Sequence, residues 1–179
     1  RGVPIGVAGL WNHHLSPAGH QPMEPPSGRY VATLNGEIYN FEELRRELSG
    51  PWRGHSDTEV MPAAFDAWGV EAALQRFIGM FAIAVWDREQ RRLLLIRDRM
   101  GVKPLYYGFA GTTFLYASEL KALRRHPHFE RRIDRGALQL FLRYMYVPAP
   151  WSIYEGIRKL MPGTMLTFEA AILLNFSSA

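Results

Sequence analysis

Apolar positions recur along this chain with two different spacings, which predict strands and amphipathic helices in mixed order. Short apolar runs bounded by turn residues predict strands, whereas apolar residues three and four positions apart predict helices. The predicted strands span residues 5–10, 29–34, 80–86, 92–97, 105–108, 113–118 and 164–168. The predicted helices span residues 41–48, 57–68, 70–77, 119–125 and 134–144.

Glycine and polar residues at the segment ends predict where several elements begin and end. Gly36 is expected to stop the strand that begins at residue 29. Asn40 is expected to cap the following helix, with Glu43 three residues later completing a capping box. Asp57 is expected to cap the helix over residues 57–68, because its carboxylate can accept from the free N–H groups of a first helical turn.

Two short polar segments predict β-hairpins and, with them, the architecture. Residues 87–91 and the pair Ala110-Gly111 each separate two apolar runs with turn-forming residues. Hairpin strands are antiparallel, and the amphipathic helices need a sheet face to cover. The sequence therefore predicts an α+β fold in which helices form layers against antiparallel sheets.

Composition limits the classes of function. The chain has 179 residues, 47% hydrophobic and 21% charged, which suits one globular domain. The net charge of +4 is small and scattered, which favours a solvated surface over nucleic-acid binding. No apolar run reaches the roughly 20 residues that cross a bilayer. The absence of cysteine excludes disulfides and thiolate metal sites within these residues, and makes a cytoplasmic protein the expectation.

Asn35 and Gly36 are the first candidates for chemistry. A side-chain amide and a backbone N–H at the end of a strand can both donate hydrogen bonds to one oxygen, and glycine lets the backbone approach a ligand closely. The pair is therefore a candidate oxyanion-binding site. The alternative is an ordinary Asn-Gly turn, which is a common hairpin connection.

Asp57 is the second candidate, because a carboxylate can bind the ammonium group of a ligand. The alternative is a purely structural helix cap. Glu37 and Glu59 carry a similar pair of interpretations, as exposed acids or as ligand contacts.

The histidines do not form a recognisable catalytic or metal-binding pattern. Residues 55–57 (His-Ser-Asp) hold the residue types of a hydrolytic triad, but such triads assemble from separate chain positions. His13-His14 and the pair His126 and His128 have no further ligand at helical spacing. Surface histidines are therefore expected, and no metal site is predicted.

Several longer motifs together resemble one known family. The motifs are LSPAGHQPM at 15–23, NGEIYNF at 35–41, GHSDTEV at 54–60, GMFA at 79–82, DRMGVKPLYY at 98–107 and SELKAL at 118–123. Over residues 15–168 the chain resembles the glutaminase domain of the glutamine-hydrolysing asparagine synthetases. Related amidotransferases of the glucosamine-phosphate and phosphoribosylamine types share parts of the pattern, and the full combination favours the asparagine synthetase branch.

The resemblance implies a fold, a reaction and partners. The fold is the four-layer αββα sandwich of the N-terminal-nucleophile (Ntn) hydrolases. The reaction converts glutamine to glutamate and ammonia, without a cofactor in this domain. The ammonia passes to a synthetase domain of the same chain, which uses ATP and Mg²⁺ to amidate aspartate. Members of the family often pair as homodimers.

The same resemblance assigns roles to individual residues. Asn35 and Gly36 resemble the oxyanion hole of the family. Glu37 and Asp57 resemble its contacts to the α-ammonium group of glutamine. Residues 97–107 resemble a strand–turn–strand element whose role is structural.

The sequence departs from the family pattern in three places. The family nucleophile is a cysteine at the first position of the mature chain, whose own α-amine acts as base, whereas here residue 1 is Arg and no cysteine is present. The arginine that holds the glutamine carboxylate and most of the ATP-binding domain are also missing. One hypothesis covers all three departures: the 179 residues are pieces of a longer protein, joined near Gly2, His14 and Phe168.

These observations predict a glutaminase domain over residues 1–168 and a remnant of the synthetase domain over residues 169–179. Without the cysteine, the 179 residues are predicted to be inactive alone. Two alternatives stay open. One is a nucleophile-less relative that acts as a binding or scaffolding module, and the other is an amidotransferase that delivers ammonia to a different acceptor.

Overall fold

A computed structural model of the protein describes residues 21–50 and 52–169. Its strands are β1 (Tyr30–Ile38), β2 (Gly79–Asp87), β3 (Arg92–Arg97), β4 (Tyr106–Ala110), β5 (Thr113–Ala117), β6 (Ile157–Lys159) and β7 (Met165–Glu169). Its helices are α1 (Phe41–Glu47), α2 (Asp57–Trp68), α3 (Val70–Arg76), α4 (Leu120–Leu123) and α5 (Arg135–Tyr144). The predicted strand over residues 5–10, the pair His13-His14 and residues 170–179 of the predicted remnant lie outside the described residues.

The strands form two antiparallel sheets. The first sheet has the order β1-β2-β3-β7 and the second has the order β5-β4-β6. Both predicted hairpins are confirmed, because β2 and β3 are joined through residues 88–91, and β4 and β5 through Gly111 and Thr112. Gly111 has φ 60°, a left-handed conformation that glycine adopts without steric cost.

One face of the first sheet is covered by helices α1, α2 and α3. Phe65 of α2 packs on Phe77 with ring centroids 5.9 Å apart, and Phe77 packs edge-on against Phe81 of β2 at 6.2 Å. All three rings are buried. Burying an aromatic side chain of this size stabilises a fold by about 2–3 kcal/mol, so this cluster fixes the helices to the sheet.

The opposite face of the first sheet packs against the second sheet. Ala82 and Leu95 of the first sheet are buried there in the same cluster as Leu105. Phe114 of β5 stacks on Phe168 of β7 with centroids 4.2 Å apart. Helix α4 packs against β5. Helices, two antiparallel sheets and a further short helix therefore form successive layers, as the α+β prediction requires.

In the turn that follows β1, the predicted start of α1 is correct but the predicted contact of the Asn40 side chain is not. Asn40 is the N-cap residue of α1 as predicted, but its side chain makes no capping hydrogen bond. Its Oδ1 instead accepts from the N–H of Ile78 at 2.9 Å, and its Nδ2 donates to the carbonyl of Arg76 at 3.0 Å. The predicted capping box with Glu43 is therefore wrong, because the Asn40 amide is committed to the segment before β2.

Other boundaries were also wrong in detail. The strand expected to stop at Gly36 continues to Ile38, because the pairing with β2 extends through Glu37 and Met80 to Ile38 and Gly79. Strand β6 was not predicted; its three residues are too few to show a period. Helix α4 is shorter than the predicted segment of residues 119–125.

The β2–β3 hairpin is held by a buried ion pair. The Asp87 side chain has no solvent exposure and accepts from Arg29 Nε at 3.2 Å and Nη2 at 2.9 Å. It also accepts from the backbone N–H groups of Glu89 and Gln90. Burial raises the pKa of Asp87, but the hydrogen bonds from Arg29 and the backbone outweigh it, so the pKa lies below the ordinary value.

Asp87→Asn is expected to lower the free energy of unfolding by about 2 kcal/mol at pH 7, because it removes the charge that these donors stabilise. Because the pKa of Asp87 is lower in the folded state than in the unfolded state, ionised Asp87 stabilises the fold fully above the unfolded pKa of about 3.9. That stabilisation is lost as the pH falls through the folded-state pKa. The difference between the wild type and the variant should therefore shrink below about pH 4, in urea unfolding measured across pH.

The matched control is Asp66→Asn. Asp66 is exposed and accepts from Ser27 Oγ at 2.7 Å. Its loss should change the free energy of unfolding by about 0.5 kcal/mol or less. An Asp87→Asn variant as stable as this control at pH 7 would contradict the role given to the ion pair.

Candidate functional site

The candidate site lies where β1 ends. Leu34 faces the helices, so Asn35 faces the second sheet, as does its ladder partner Ala82. The Asn35 side chain is exposed. Its amide donors are therefore accessible to a ligand that occupies this end of the sheet.

Gly36 sits where two backbones approach more closely than any side chain would allow. Its φ is 141°, and a Cβ added to it would lie 2.0 Å from the carbonyl oxygen of Met80. The reciprocal contact occurs at Gly79, where an added Cβ would lie 2.1 Å from the carbonyl oxygen of Glu37. The pair of glycines permits β1 to continue past Asn35, which explains why Gly36 does not end the strand.

Asp57 joins the start of α2 to the end of β1. Its Oδ2 accepts from the backbone N–H of Ile38 at 2.9 Å, and its Oδ1 accepts from the N–H of Thr58 at 2.8 Å. Ser56 is the N-cap residue of α2 and Asp57 is the first residue of the helix. The prediction that Asp57 is the N-cap residue is therefore wrong by one position, and its carboxylate is shared between the Thr58 N–H of the first helical turn and the Ile38 N–H of the strand.

The structure brings all four predicted site residues together. Asn35, Gly36 and Glu37 are consecutive on β1, and the N–H that binds Asp57 is the next amide along the strand. Glu37 is partly exposed and lies on the same sheet face as Asn35, two residues away. Asn35, Gly36 and Glu37 therefore lie on the stretch of β1 that ends at the residue bound by the Asp57 carboxylate.

Glu59 does not join this group. Its carboxylate accepts from the backbone N–H groups of Arg53 and Gly54, the latter at 3.1 Å. It therefore supports the loop that precedes α2, which is the structural interpretation of this residue.

The sequence matches the glutamine amidotransferase domain family over residues 3–175. The chain belongs to this family. It is 39% identical over 159 residues to asparagine synthetase [glutamine-hydrolyzing] 3 of Bacillus subtilis, a match that covers 84% of this chain and 25% of that protein. It is 31% identical over 183 residues to a putative asparagine synthetase [glutamine-hydrolyzing] 2 of Methanocaldococcus jannaschii, covering 93% and 35%. The amidotransferase domain described here thus spans about a quarter to a third of these curated relatives.

Solved structures with the same fold include the glutamine phosphoribosylpyrophosphate amidotransferase of B. subtilis complexed with ADP and GMP. The TM-score is 0.61 at 19% identity, covering 89% of this chain and 32% of that one. An allosteric regulatory enzyme of purine biosynthesis gives the same TM-score at 20% identity, covering 86% and 30%. These likenesses confirm the predicted fold class, an α+β sandwich of antiparallel sheets of the Ntn-hydrolase type.

Asp98 anchors the strand that pairs with Gly36 in this amidotransferase domain. Its side chain is 1% exposed and accepts from the backbone N–H groups of Phe81, Val102 and Lys103 at 3.3, 2.9 and 3.0 Å. Phe81 is the ladder partner of Gly36. Sequence reasoning gave Asp98 no role of its own, although a carboxylate three residues before a glycine is a signal for a turn held by its own side chain.

The two arginines that flank Asp98 satisfy carbonyl groups of neighbouring segments. Arg97 donates to the carbonyls of Lys103, Leu160 and Gly101 at 2.8, 2.6 and 2.7 Å. Arg99 donates to the carbonyls at the end of α3, at Phe77, Leu74 and Gln75. The structural role predicted for residues 97–107 is confirmed.

The described part of the chain contains no cluster of three side chains that could hold a metal ion. His126 and His128 lie close together, with ring centroids 5.7 Å apart, and His126 Nδ1 accepts from the N–H of His128. No described helix is both long enough and apolar enough to span a membrane.

Gly36→Ala is expected to lower the free energy of unfolding by at least about 2 kcal/mol more than Gly111→Ala. Both positions have positive φ, but an added Cβ at Gly111 meets nothing within 4 Å. Conformational strain at the left-handed φ of Gly111 costs about 1–2 kcal/mol, whereas Gly36→Ala adds the backbone clash with Met80 to the strain of its own positive φ. Urea unfolding of both variants measures it. Equal losses of unfolding free energy in the two variants would show that β1 and β2 can move apart at Gly36 without an energetic cost.

Proposed function

We propose that this domain hydrolyses glutamine to glutamate and ammonia as the glutaminase part of an asparagine synthetase. The observation that carries the proposal is the hydrogen bond from the Ile38 N–H to Asp57, which brings that carboxylate to the end of the strand that carries Asn35, Gly36 and Glu37. Glutamine presents an α-ammonium group and a carboxamide carbon that becomes tetrahedral during hydrolysis. Carboxylates suit the ammonium group, and fixed N–H donors suit the oxyanion.

In the proposed reaction a cysteine thiolate adds to the carboxamide carbon of glutamine, and the carbonyl oxygen becomes an oxyanion. The Asn35 amide and the Gly36 N–H donate to that oxygen. The C–N bond then breaks, ammonia leaves with the proton delivered by the cysteine's α-amine, and water hydrolyses the thioester to glutamate. The 179 residues contain no cysteine, so we propose that the parent protein supplies it and that these residues alone do not hydrolyse glutamine.

The partners belong to the same proposal. The two relatives named asparagine synthetase above are about three to four times as long as the matched segment, which is consistent with a synthetase domain in the same polypeptide. That domain would use ATP and Mg²⁺ to amidate aspartate, whereas no cofactor is proposed for this one. A homodimer and a cytoplasmic location complete the proposal.

The absence of cysteine also favours a second candidate function, a nucleophile-less module that binds glutamine without hydrolysing it. The two candidates differ in glutamate release by the full-length parent protein, measured with a coupled glutamate assay. We expect steady glutamate release that the cysteine-to-alanine variant of the parent abolishes. Glutamine binding seen by calorimetry without any glutamate release would instead establish the binding module.

Asn35→Ala in the parent protein is expected to lower kcat for glutamine hydrolysis by about 100-fold or more, because one donor to the oxyanion is lost. KM should change little, since the oxyanion forms only after binding. Thr33→Ala is the matched control on the same face of β1. A kcat of Asn35→Ala equal to that of the control would remove Asn35 from the oxyanion site.

Asp57→Asn is expected to raise KM for glutamine by about 10-fold or more while kcat stays within a few-fold, because the charge that attracts the ammonium group is lost. An asparagine oxygen can still accept from the Ile38 N–H. Asp57→Ala loses that bond as well, so it should also lower kcat by releasing the end of β1. Unchanged KM in both variants would refute the ammonium contact.

A further inference from the structure

The Gln21 side chain binds the outer edge of β1, which is the edge strand of its sheet in the part of the chain that the structure describes. Its Nε2 donates to the carbonyl of Leu34 at 2.9 Å, and its Oε1 accepts from the N–H of Leu34 at 2.7 Å. Two residues earlier on β1, Ala32 makes the same pair of bonds with the backbone of Met23, at 2.8 and 2.9 Å. Gln21 therefore continues an antiparallel ladder with a side chain in place of a backbone.

The Gly36 N–H points to this same edge. Its ladder partner on β2 is Phe81, whose N–H and carbonyl both bind Asp98, at 3.3 and 2.8 Å, on the side of β2 that faces away from β1. Opposite residues of an antiparallel pair exchange both hydrogen bonds or neither. Because the bonds of Phe81 go to Asp98, the Gly36 N–H is directed away from β2 and toward the outer edge of β1.

Two side chains anchor the edge on either side of the Gly36 N–H. The Leu34 N–H, two residues before it, is bound by Gln21. The Ile38 N–H, two residues after it, is bound by Asp57 at 2.9 Å. The N–H proposed to bind the oxyanion therefore lies between two amides that are each held by a side chain from another segment.

A glutamine side chain is suited to hold both peptide units of Leu34. A primary amide carries a carbonyl acceptor and N–H donors on neighbouring atoms, as a backbone peptide group does. The Leu34 carbonyl that accepts from Gln21 belongs to the peptide unit that continues into Asn35. Gln21 thereby fixes the plane of the backbone immediately before the Asn35 side chain.

We propose that Gln21 is a positioning residue for the oxyanion donors Asn35 and Gly36, an inference that rests on the proposed function. Gln21 lies in the motif at residues 15–23, within which the sequence by itself assigned no residue a role. It acts through the backbone of β1 and needs no contact with glutamine. Oxyanion donors must be aimed at one point before the charge develops, and a misplacement of about 1 Å can cost about 100-fold in rate.

Steady-state kinetics of the full-length parent protein tests this role with Gln21→Met, which keeps the side-chain length and removes both hydrogen bonds. We expect kcat for glutamine hydrolysis to fall by about 10-fold, less than for loss of a donor itself. KM should stay within about 2-fold, because the oxyanion forms only after glutamine is bound. A kcat that does not fall, or a KM that rises as much as kcat falls, would overturn the inference.

Ser27→Ala is the matched control, because Ser27 also makes two hydrogen bonds through its side chain and precedes the start of β1, far from Asn35. Its Oγ donates to Asp66 at 2.7 Å and accepts from the Arg29 N–H at 3.0 Å. We expect kcat of Ser27→Ala to stay within about 2-fold of the wild type. Equal kcat values for Gln21→Met and Ser27→Ala would reduce Gln21 to a general support of the fold.

Inhibition by glutamate γ-semialdehyde reports the oxyanion site separately from stability. The cysteine thiolate of the parent adds to the aldehyde carbon, the C–S bond forms, and the carbonyl electron pair moves to the oxygen, as in the proposed reaction. We expect the inhibition constant to rise by about 10-fold in Gln21→Met, in parallel with kcat. Gln21→Glu keeps the acceptor but loses the donor to Leu34, so it should show the same kind of loss and is a second variant. Unchanged inhibition in both variants would overturn the inference.

Failure of the proposed function is a different result, which would appear as a wild-type parent protein that releases no glutamate. Hydrogen exchange adds a readout that does not depend on activity. The amides of residues 34–38 should exchange about 10-fold faster in Gln21→Met than in Ser27→Ala, because the edge of β1 opens more often. Equal exchange in the two variants would overturn the inference whether or not the parent hydrolyses glutamine.

Discussion

The buried carboxylate of Asp98 is the interaction on which the candidate site depends. The carboxylate accepts hydrogen bonds from N–H groups of β2 and of the turn after β3. The backbone carbonyl of Asp98 accepts from the N–H groups of Gly101 and Gly163. An unsatisfied buried carboxylate would be costly, so these segments are held to one arrangement. Phe81 is thereby fixed, and with it the ladder position opposite Gly36.

The rest of the site follows from that fixed strand. Close approach at Gly36 and Gly79 lets β1 run three residues beyond Asn35, and the last of these offers its N–H to Asp57. The Asp57 carboxylate therefore sets the distance between the end of β1, which carries the proposed oxyanion donors Asn35 and Gly36, and the start of α2. A substitution at Asp57 changes both a charge and a strand position, which is why Asn and Ala are expected to differ there.

Prediction from sequence succeeded where neighbours along the chain decide the outcome. The hairpin at residues 88–91, the first residue of α2 and the grouping of Asn35, Gly36 and Glu37 all follow from local residue types. It failed where a side chain had a choice of partners. The Asn40 side chain binds the segment before β2 instead of its own helix, and Asp57 binds β1 in addition to the first turn of α2.

By itself, the sequence determined the α+β class, the antiparallel hairpins and the residue types available to bind a zwitterionic amide, because periodicity and turn chemistry act over a few residues. Only the tertiary structure decided which donors the polar side chains bind. The most distant donors to the side chains of Asp98, Asp57 and Asn40 lie 17, 19 and 38 residues away. Such contacts exist only after the core has closed, since burial makes one set of hydrogen bonds more favourable than the local alternatives.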